Sequence, residues 1–374
     1  MILAGSRLRA TATAMLVGTC LTLVAACGER QPAVIGIAMG ADTDTPQALL
    51  TARQKRFNDS VGTRRGVTLV YRSSSQDTAV NPALAWANEL VAMPGLIGVV
   101  GHESSRMALQ AAPVYRDRGV VQIVPTGTSG LLSTVSPWTF PLVASDASQG
   151  VLLAQYLVGS GRKRVTLFVQ DDEYGRGIVT SVKRALDGTD VQILENVMHT
   201  PRSDYPLLVR SVLSHDPRPD ALMLITQGAI AAQVSQLAWH YDSTLLIMAT
   251  DAASTGANEL RTNVPSSGKL VLATYWLADS SNRATQEFLR EYKDSKITGE
   301  PQWHHAAMYD AVGLLNAAAA AAGSKPSAVR DWLLSLGRER PAYQGVLGPI
   351  DFTGKHAIAA RLVRPSATGW ELVK

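Results

Sequence analysis

The sequence predicts an α/β protein of two lobes, each a mainly parallel sheet flanked by helices. Three strand-like, mainly apolar segments carry the prediction. Leu96–Val100 leads into Gly101-His102-Glu103-Ser104-Ser105, and Val120–Val124 into Pro125-Thr126-Gly127-Thr128. Arg164–Val169 leads into Gln170-Asp171-Asp172-Glu173-Tyr174-Gly175. Buried parallel strands read as unbroken apolar runs, and open α/β sheets bind ligands beyond the carboxyl ends of such strands. A second observation is the alternation of strand-like and helix-like segments over most of residues 33–275. Such alternation argues βαβ units with right-handed crossovers. The third is a change of pattern around Trp138–Pro141 and again after Tyr275, where the chain turns mainly helical. About 345 residues beyond the N-terminal stretch also exceed one usual core, so two sheets fit better than one.

In chain order, Val34–Met39 reads as a strand, Pro46–Phe57 as a helix and Val67–Arg72 as a strand. Asn81-Pro82 opens a helix with Leu84, Trp86, Leu90 and Val91 for its apolar face. Ala108, Ala111, Ala112 and Tyr115 fall at i, i+3, i+4 and i+7, the amphipathic spacing. Strands follow at Val165–Val169, Val191–Asn196, Ala221–Ile225, Leu245–Ala249 and Lys269–Thr274, with helical stretches between them. Ala284–Lys296, His304–Ala322 and Ser327–Leu336 read as helices. The tail has strand character at Gly348–Phe352, Ala357–Val363 and Trp370–Val373.

Residues 1–26 read as an export signal. Arg7 and Arg9 precede an apolar stretch, Ala10–Ala26, that is too short and threonine-rich for a membrane span. It closes on Val24-Ala25-Ala26-Cys27, and residues 27–32 read as a tether. The chain has 2 cysteines, Cys20 and Cys27, so the folded part offers no disulfide, thiol nucleophile or cysteine zinc site. Removing residues 1–27 takes Arg7 and Arg9 from the 35 basic side chains and none of the 31 acidic ones. The near-neutral remainder points to no nucleic-acid partner. The pair His304-His305, with His102, invites a metal reading. Adjacent histidines on a helix point about 100° apart and do not readily chelate one ion, so no metal is expected. No Gly-x-x-x-x-Gly-Lys-Ser/Thr, Gly-x-Ser-x-Gly or His-Glu-x-x-His occurs, and no cofactor is expected.

In order and wording, the three quoted segments resemble the leucine/isoleucine/valine-binding family, the type I solute-binding proteins of ABC importers. The resemblance runs from Ala33 to Lys374. It includes Phe140–Gly150 with Asp146 and Gln149-Gly150, Asp204-Tyr205 through Ile225, and Gly348–Phe352. It implies two Rossmann-like lobes joined by a three-strand hinge, the type I periplasmic binding protein fold. The implied crossings fall near Ala144–Gln149, Ala273–Ala278 and Tyr343–Gly348. Lobe 1 is then residues 33–146 and 277–343, and lobe 2 is 147–276 and 344–374. Small residues before Cys27 resemble a bacterial lipobox, which implies cleavage before Cys27, lipidation there, and a lipid-anchored protein outside the cytoplasm. A disulfide that some relatives carry near the Ser105 loop is missing here.

The resemblance also implies the ligand contacts. Ser105 takes the place of a hydroxyl donor to a ligand carboxylate at a helix start, where free N–H groups assist. Ser105 or Ser104 equally suits a helix N-cap. Thr128 matches a threonine whose hydroxyl touches ligand, and the Thr126 carbonyl would accept from an ammonium. Tyr174 stands at the second lobe's aromatic position, to stack or donate across the cleft, or to pack as a rim residue. Asp251 replaces the acid of amino-acid binders. A partly desolvated carboxylate needs a positive partner such as a ligand ammonium, although Asp251 also suits an N-cap. Gln227 and His304 fall where relatives carry aromatic residues or follow one, so branched-chain specificity does not carry over. Tyr275 and Trp276 belong to the cleft or the core.

These readings converge on capture of a small polar solute, an amino acid or related amide. The expected partners are an ABC permease and its ATPase subunits, with the protein itself a monomer. A sensing or regulatory envelope lipoprotein of the same fold is the alternative. An enzyme is the least supported class.

Overall fold

The computed structural model describes residues 32–39, 47–62, 66–72, 82–354 and 358–373. The expected signal segment, most of the tether and Cys27 lie outside the described residues. The first part of the chain runs β1 (Ala33–Ala38), α1 (Gln47–Val61), β2 (Val67–Arg72), α2 (Ala83–Val91) and β3 (Leu96–Gly101). It continues through α3 (Ser105–Arg118), β4 (Val121–Val124) and β5 (Thr139–Pro141). These strands form one parallel sheet in the order β2-β1-β3-β4-β5.

The second part begins with α4 (Asp146–Gly159), β6 (Arg164–Gln170), α5 (Glu173–Leu186), β7 (Gln192–His199) and α6 (Tyr205–Leu213). Then come β8 (Ala221–Ile225), α7 (Gly228–Tyr241), β9 (Leu246–Ala249), a 3-10 turn at Asp251–Gly256, α8 (Ala257–Asn263) and β10 (Leu270–Thr274). Three helices follow, α9 (Arg283–Asp294), α10 (Trp303–Ala322) and α11 (Pro326–Ser335). The tail holds β11 (Tyr343–Gln344), β12 (Pro349–Ile350), β13 (Arg361–Ser366) and β14 (Gly369–Leu372). The second sheet has the order β14-β13-β10-β9-β8-β6-β7, parallel except where the tail joins. The α/β class and the type I arrangement expected from the sequence are therefore present.

Local chemistry explains the elements. Leu96–Val100 is buried throughout because helices cover both faces of its sheet. Helix α3 buries Ala108, Ala111, Ala112 and Tyr115. It starts at Ser104, whose side chain accepts from Met107 N, and stops at Gly119 in the left-handed region (φ 62°). One face of the first sheet packs against α1, α9, α10 and α11 around Phe288, Tyr309 and Leu315. The second sheet has separate cores on its two faces, one around Leu153 and Ile178, the other around Phe168 and Ala231.

One expected boundary moves. The sequence assigns 344–374 to the second lobe, whereas Val346, Leu347, Ile350 and Ile358 belong to the core of the first sheet. The buried Asp310 carboxylate on α10 is the cause, accepting from Val346 N and Leu347 N at 2.9 Å each. Only at Arg361 does the chain pair into the second sheet. The passages between sheets lie side by side: Ala144 N donates to Ile358 O at 2.8 Å, and Tyr275 Oη donates to Ala144 O at 3.0 Å.

Gly228, at the start of α7, lies against the 3-10 turn, where a Cβ would come 1.9 Å from Gly256 N and 2.5 Å from Thr255 Oγ1. Backbone there has no room to yield. Gly228→Ala should cost about 1–3 kcal/mol in urea unfolding, as overpacking does; a variant of unchanged stability would mean the turn shifts freely.

Candidate functional site

Sheet order decides which loops meet. β3 and β4 are neighbours in the first sheet, and β9, β8 and β6 are neighbours in the second. Their carboxyl ends lead into Ser105, Thr126 and Thr128 on one side and into Asp251, Gln227 and Tyr174 on the other. All six line one cavity of about 580 Å³, with His304 at the start of α10 as a further wall residue. The seven residues singled out in the sequence are thus brought together.

Each has its own geometry. Ser105 Oγ accepts from Thr128 N and Ser129 N, both at 3.0 Å. With both lone pairs taken, its O–H is left to donate. The helix cap falls to Ser104, so Ser105 does not serve that role. Thr126 Oγ1 donates to Glu103 O at 2.7 Å, so its hydroxyl, like its carbonyl, can only accept from a ligand. The Thr128 carbonyl accepts from Asp146 N at 2.8 Å, and its hydroxyl bonds the Asp146 carboxylate. Gln227 is exposed and precedes α7. The His304 and His305 rings lie 4.1 Å apart, nearer than the helical divergence suggests, and His305 Nδ1 accepts from Gln302 N.

Asp251 is the hub. Tyr174 Oη donates to its Oδ1 at 2.5 Å and Gln149 Nε2 to the same oxygen at 2.7 Å. Asp251 N returns a bond to Gln149 Oε1 at 3.1 Å, and Trp303 Nε1 donates to its carbonyl at 3.3 Å. No side-chain donor reaches Oδ2 among the described residues. Tyr174 therefore meets Asp251 within its own sheet rather than reaching across, while its half-buried ring faces the cavity lining. Burial raises the Asp251 carboxyl above its ordinary value, against the pull of Tyr174 and Gln149.

The sequence reading passed over Gln149 as a site residue, and Asp146, Ser254 and Trp303 with it. Gln149 had a signal: it sits four residues before Leu153 and eight before Leu157, a polar side chain on an apolar helix face. Ser254 gave none, because its place depends on how the 3-10 turn folds back.

Asp146 starts α4 beside this network, buried, with Oδ1 unpartnered among the described residues. Burial raises its carboxyl to about 7; the Thr128 hydroxyl opposes this, and Asp251, Asp172 and Glu173 add to it.

Residues 47–365 match the periplasmic binding protein family. The chain belongs to this family. Leu/Ile/Val-binding protein homolog 2 of Brucella abortus is 24% identical over 360 residues, covering 90% of this chain and 91% of the relative. The branched-chain amino acid transporter substrate-binding protein LivJ of Streptococcus pneumoniae, in complex with isoleucine, superposes with a TM-score of 0.76. It is 19% identical, covering 92% of this chain and 100% of that one. A solute-binding protein of an ABC transporter from Rhodopseudomonas palustris, in complex with 3,4-dihydroxybenzoic acid, gives 0.74 at 15% identity, covering 91% and 96%. These structural likenesses are of fold. Membership of a periplasmic binding protein family implies a location outside the cytoplasm, and no helix among the described residues is long and apolar enough to cross a membrane.

The Asp146 carboxyl of this periplasmic binding protein has a pH signature. The folded chain keeps a proton, up to about pH 7, that the unfolded chain releases near pH 4. Stability should fall as pH rises between those values, by at most roughly 1.4 kcal/mol per unit, and level off above. Asp146→Asn should show a shallower fall in urea unfolding from pH 4.5 to 8, the remaining slope coming from Asp251 and Asp310, which burial also raises; parallel profiles for both proteins would remove the assignment.

Proposed function

We propose that this periplasmic binding protein captures an amino acid between its lobes and delivers it to an ABC permease powered by separate ATPase subunits. One observation supports this reading above the others: the cavity has two chemically different ends. At one end the Ser105 hydroxyl is left with only its proton to give, beside the first turn of α3. Free N–H groups and the positive end of the helix dipole there suit a carboxylate. From the second sheet, Asp251 keeps an oxygen that no side chain among the described residues occupies, which suits an ammonium.

Charge separates an amino acid from an aromatic acid. Among the described residues the lining carries Glu103, Asp172 and Asp251 and no lysine or arginine. A benzoate brings one negative group and nothing for the acids to bind; a zwitterion serves both ends. Ligand contacts drawn from both sheets favour a closed arrangement only so far as the open one lacks them. A lipid on Cys27 would hold this monomeric receptor at the membrane beside its permease.

Thermal-shift measurements on the purified protein test the reading. An amino acid at a hundred times its dissociation constant should stabilise by about 2.7 kcal/mol, whereas hydroxybenzoates should have no effect. Asp251→Asn keeps the shape and removes the charge, and should weaken binding by at least about 30-fold, the cost of breaking a buried charge pair. Stabilisation by hydroxybenzoates with none by any amino acid would sink the proposal.

A further inference from the structure

Asp251 and Ser254 share the 3-10 turn at Asp251–Gly256. A 3-10 helix repeats every three residues, so the two stand on one face, roughly 6 Å apart along the axis. Both are buried and both line the cavity. The Trp303 indole, donating to the Asp251 carbonyl, seats the start of α10 against the same turn. That contact brings His304, the next residue, onto the same wall.

Ser254 Oγ and both ring nitrogens of His304 are buried and have no hydrogen-bond partner among the described residues. Other hydroxyls of the lining differ. Thr126 Oγ1 already donates to Glu103 O, and Thr255 Oγ1 accepts from Gly228 N and donates to Ala252 O. Asp172 likewise has an oxygen on Gly175 N and another on Gln170 Nε2. Burial, with His305 alongside, holds the His304 ring neutral, so it carries one donor and one acceptor. A serine hydroxyl also gives and takes. Buried polar groups rarely stay unpaired, because their lost hydration is then uncompensated.

We infer that Ser254 and His304 are specificity residues that hold the side chain of the bound amino acid, and that this side chain is polar and uncharged, a hydroxyl or a carboxamide. The inference rests on the amino-acid reading above. An ammonium anchored at Asp251 places the rest of the ligand within one helical turn of Ser254. An aliphatic side chain there would leave three polar atoms unpaired. A hydroxyl or carboxamide both donates and accepts, which matches two neutral groups that do the same. Neither group carries a charge to balance an ionised side chain.

Isothermal titration calorimetry with near-isosteric pairs decides the matter. Purified protein should bind threonine at least about tenfold tighter than valine, and asparagine tighter than leucine by a similar factor; a site built for a polar group rejects the analogue that lacks it. Ser254→Ala should bring both ratios towards one, weakening threonine and asparagine relative to valine and leucine. His304→Gln, which retains a donor and an acceptor, should hold the ratios that His304→Leu loses. Equal or tighter binding of valine and leucine, or ratios indifferent to Ser254→Ala, overturns this inference and leaves amino-acid capture standing. Failure of all four amino acids to bind overturns this inference, and the amino-acid reading falls with it only when no amino acid stabilises the protein in the thermal-shift measurement.

Discussion

The buried Asp251 carboxylate is the constraint around which the rest of the structure is arranged. A desolvated charge is tolerated only with partners, and here the side-chain donors to the carboxylate are Tyr174, which follows β6, and Gln149 on α4. Trp303, which opens α10, bonds the backbone carbonyl of the same residue. Through its carboxylate and its carbonyl together, Asp251 ties two strand ends of the second sheet to a helix packed on the first. Gln149 also donates to Tyr275 Oη at 3.3 Å, which bonds Ala144 O, so the network continues into the passages between sheets.

A second acid lies beside the first. Asp146 meets Thr128 from the first sheet and feels Asp251 from the second. Two carboxylates in so dry a place disfavour each other's charge, and burial alone favours the protonated form. Among the described residues neither has a cationic side chain bonded to it. The arrangement is one in which an incoming positive group has two acids to relieve. The same network fixes where the remaining cavity wall stands, because the turn that begins at Asp251 continues to Ser254. Charge recognition and side-chain recognition are therefore built on one short stretch of backbone.

Much of this was legible in the linear chain. Leu96–Val100 and Ala221–Ile225 are apolar throughout because both faces of their sheets are covered, and a doubly covered strand has no polar side to disguise it. The polar residues that follow such strands stand beyond their carboxyl ends, which is why Ser105, Thr128, Tyr174 and Asp251 could be singled out. The tail was less legible. Val346 and Ile350 have the same composition whichever core receives them, and the choice of the first was made by Asp310, far away in sequence.

The sequence by itself determined the strand–helix alternation, the parallel sheets and the short set of polar residues at strand ends. Those features follow from periodicity and burial, which act between near neighbours. Tertiary structure alone decided that Ser105 would turn its lone pairs to Thr128 and Ser129 and that Tyr174 would bond Asp251. It alone left Ser254 and His304 on the cavity wall without a hydrogen-bond partner among the described residues. Hydrogen-bond partners distant in the chain are chosen by the packing of helices and sheets, and no local pattern of residues encodes which donor a buried acceptor will meet.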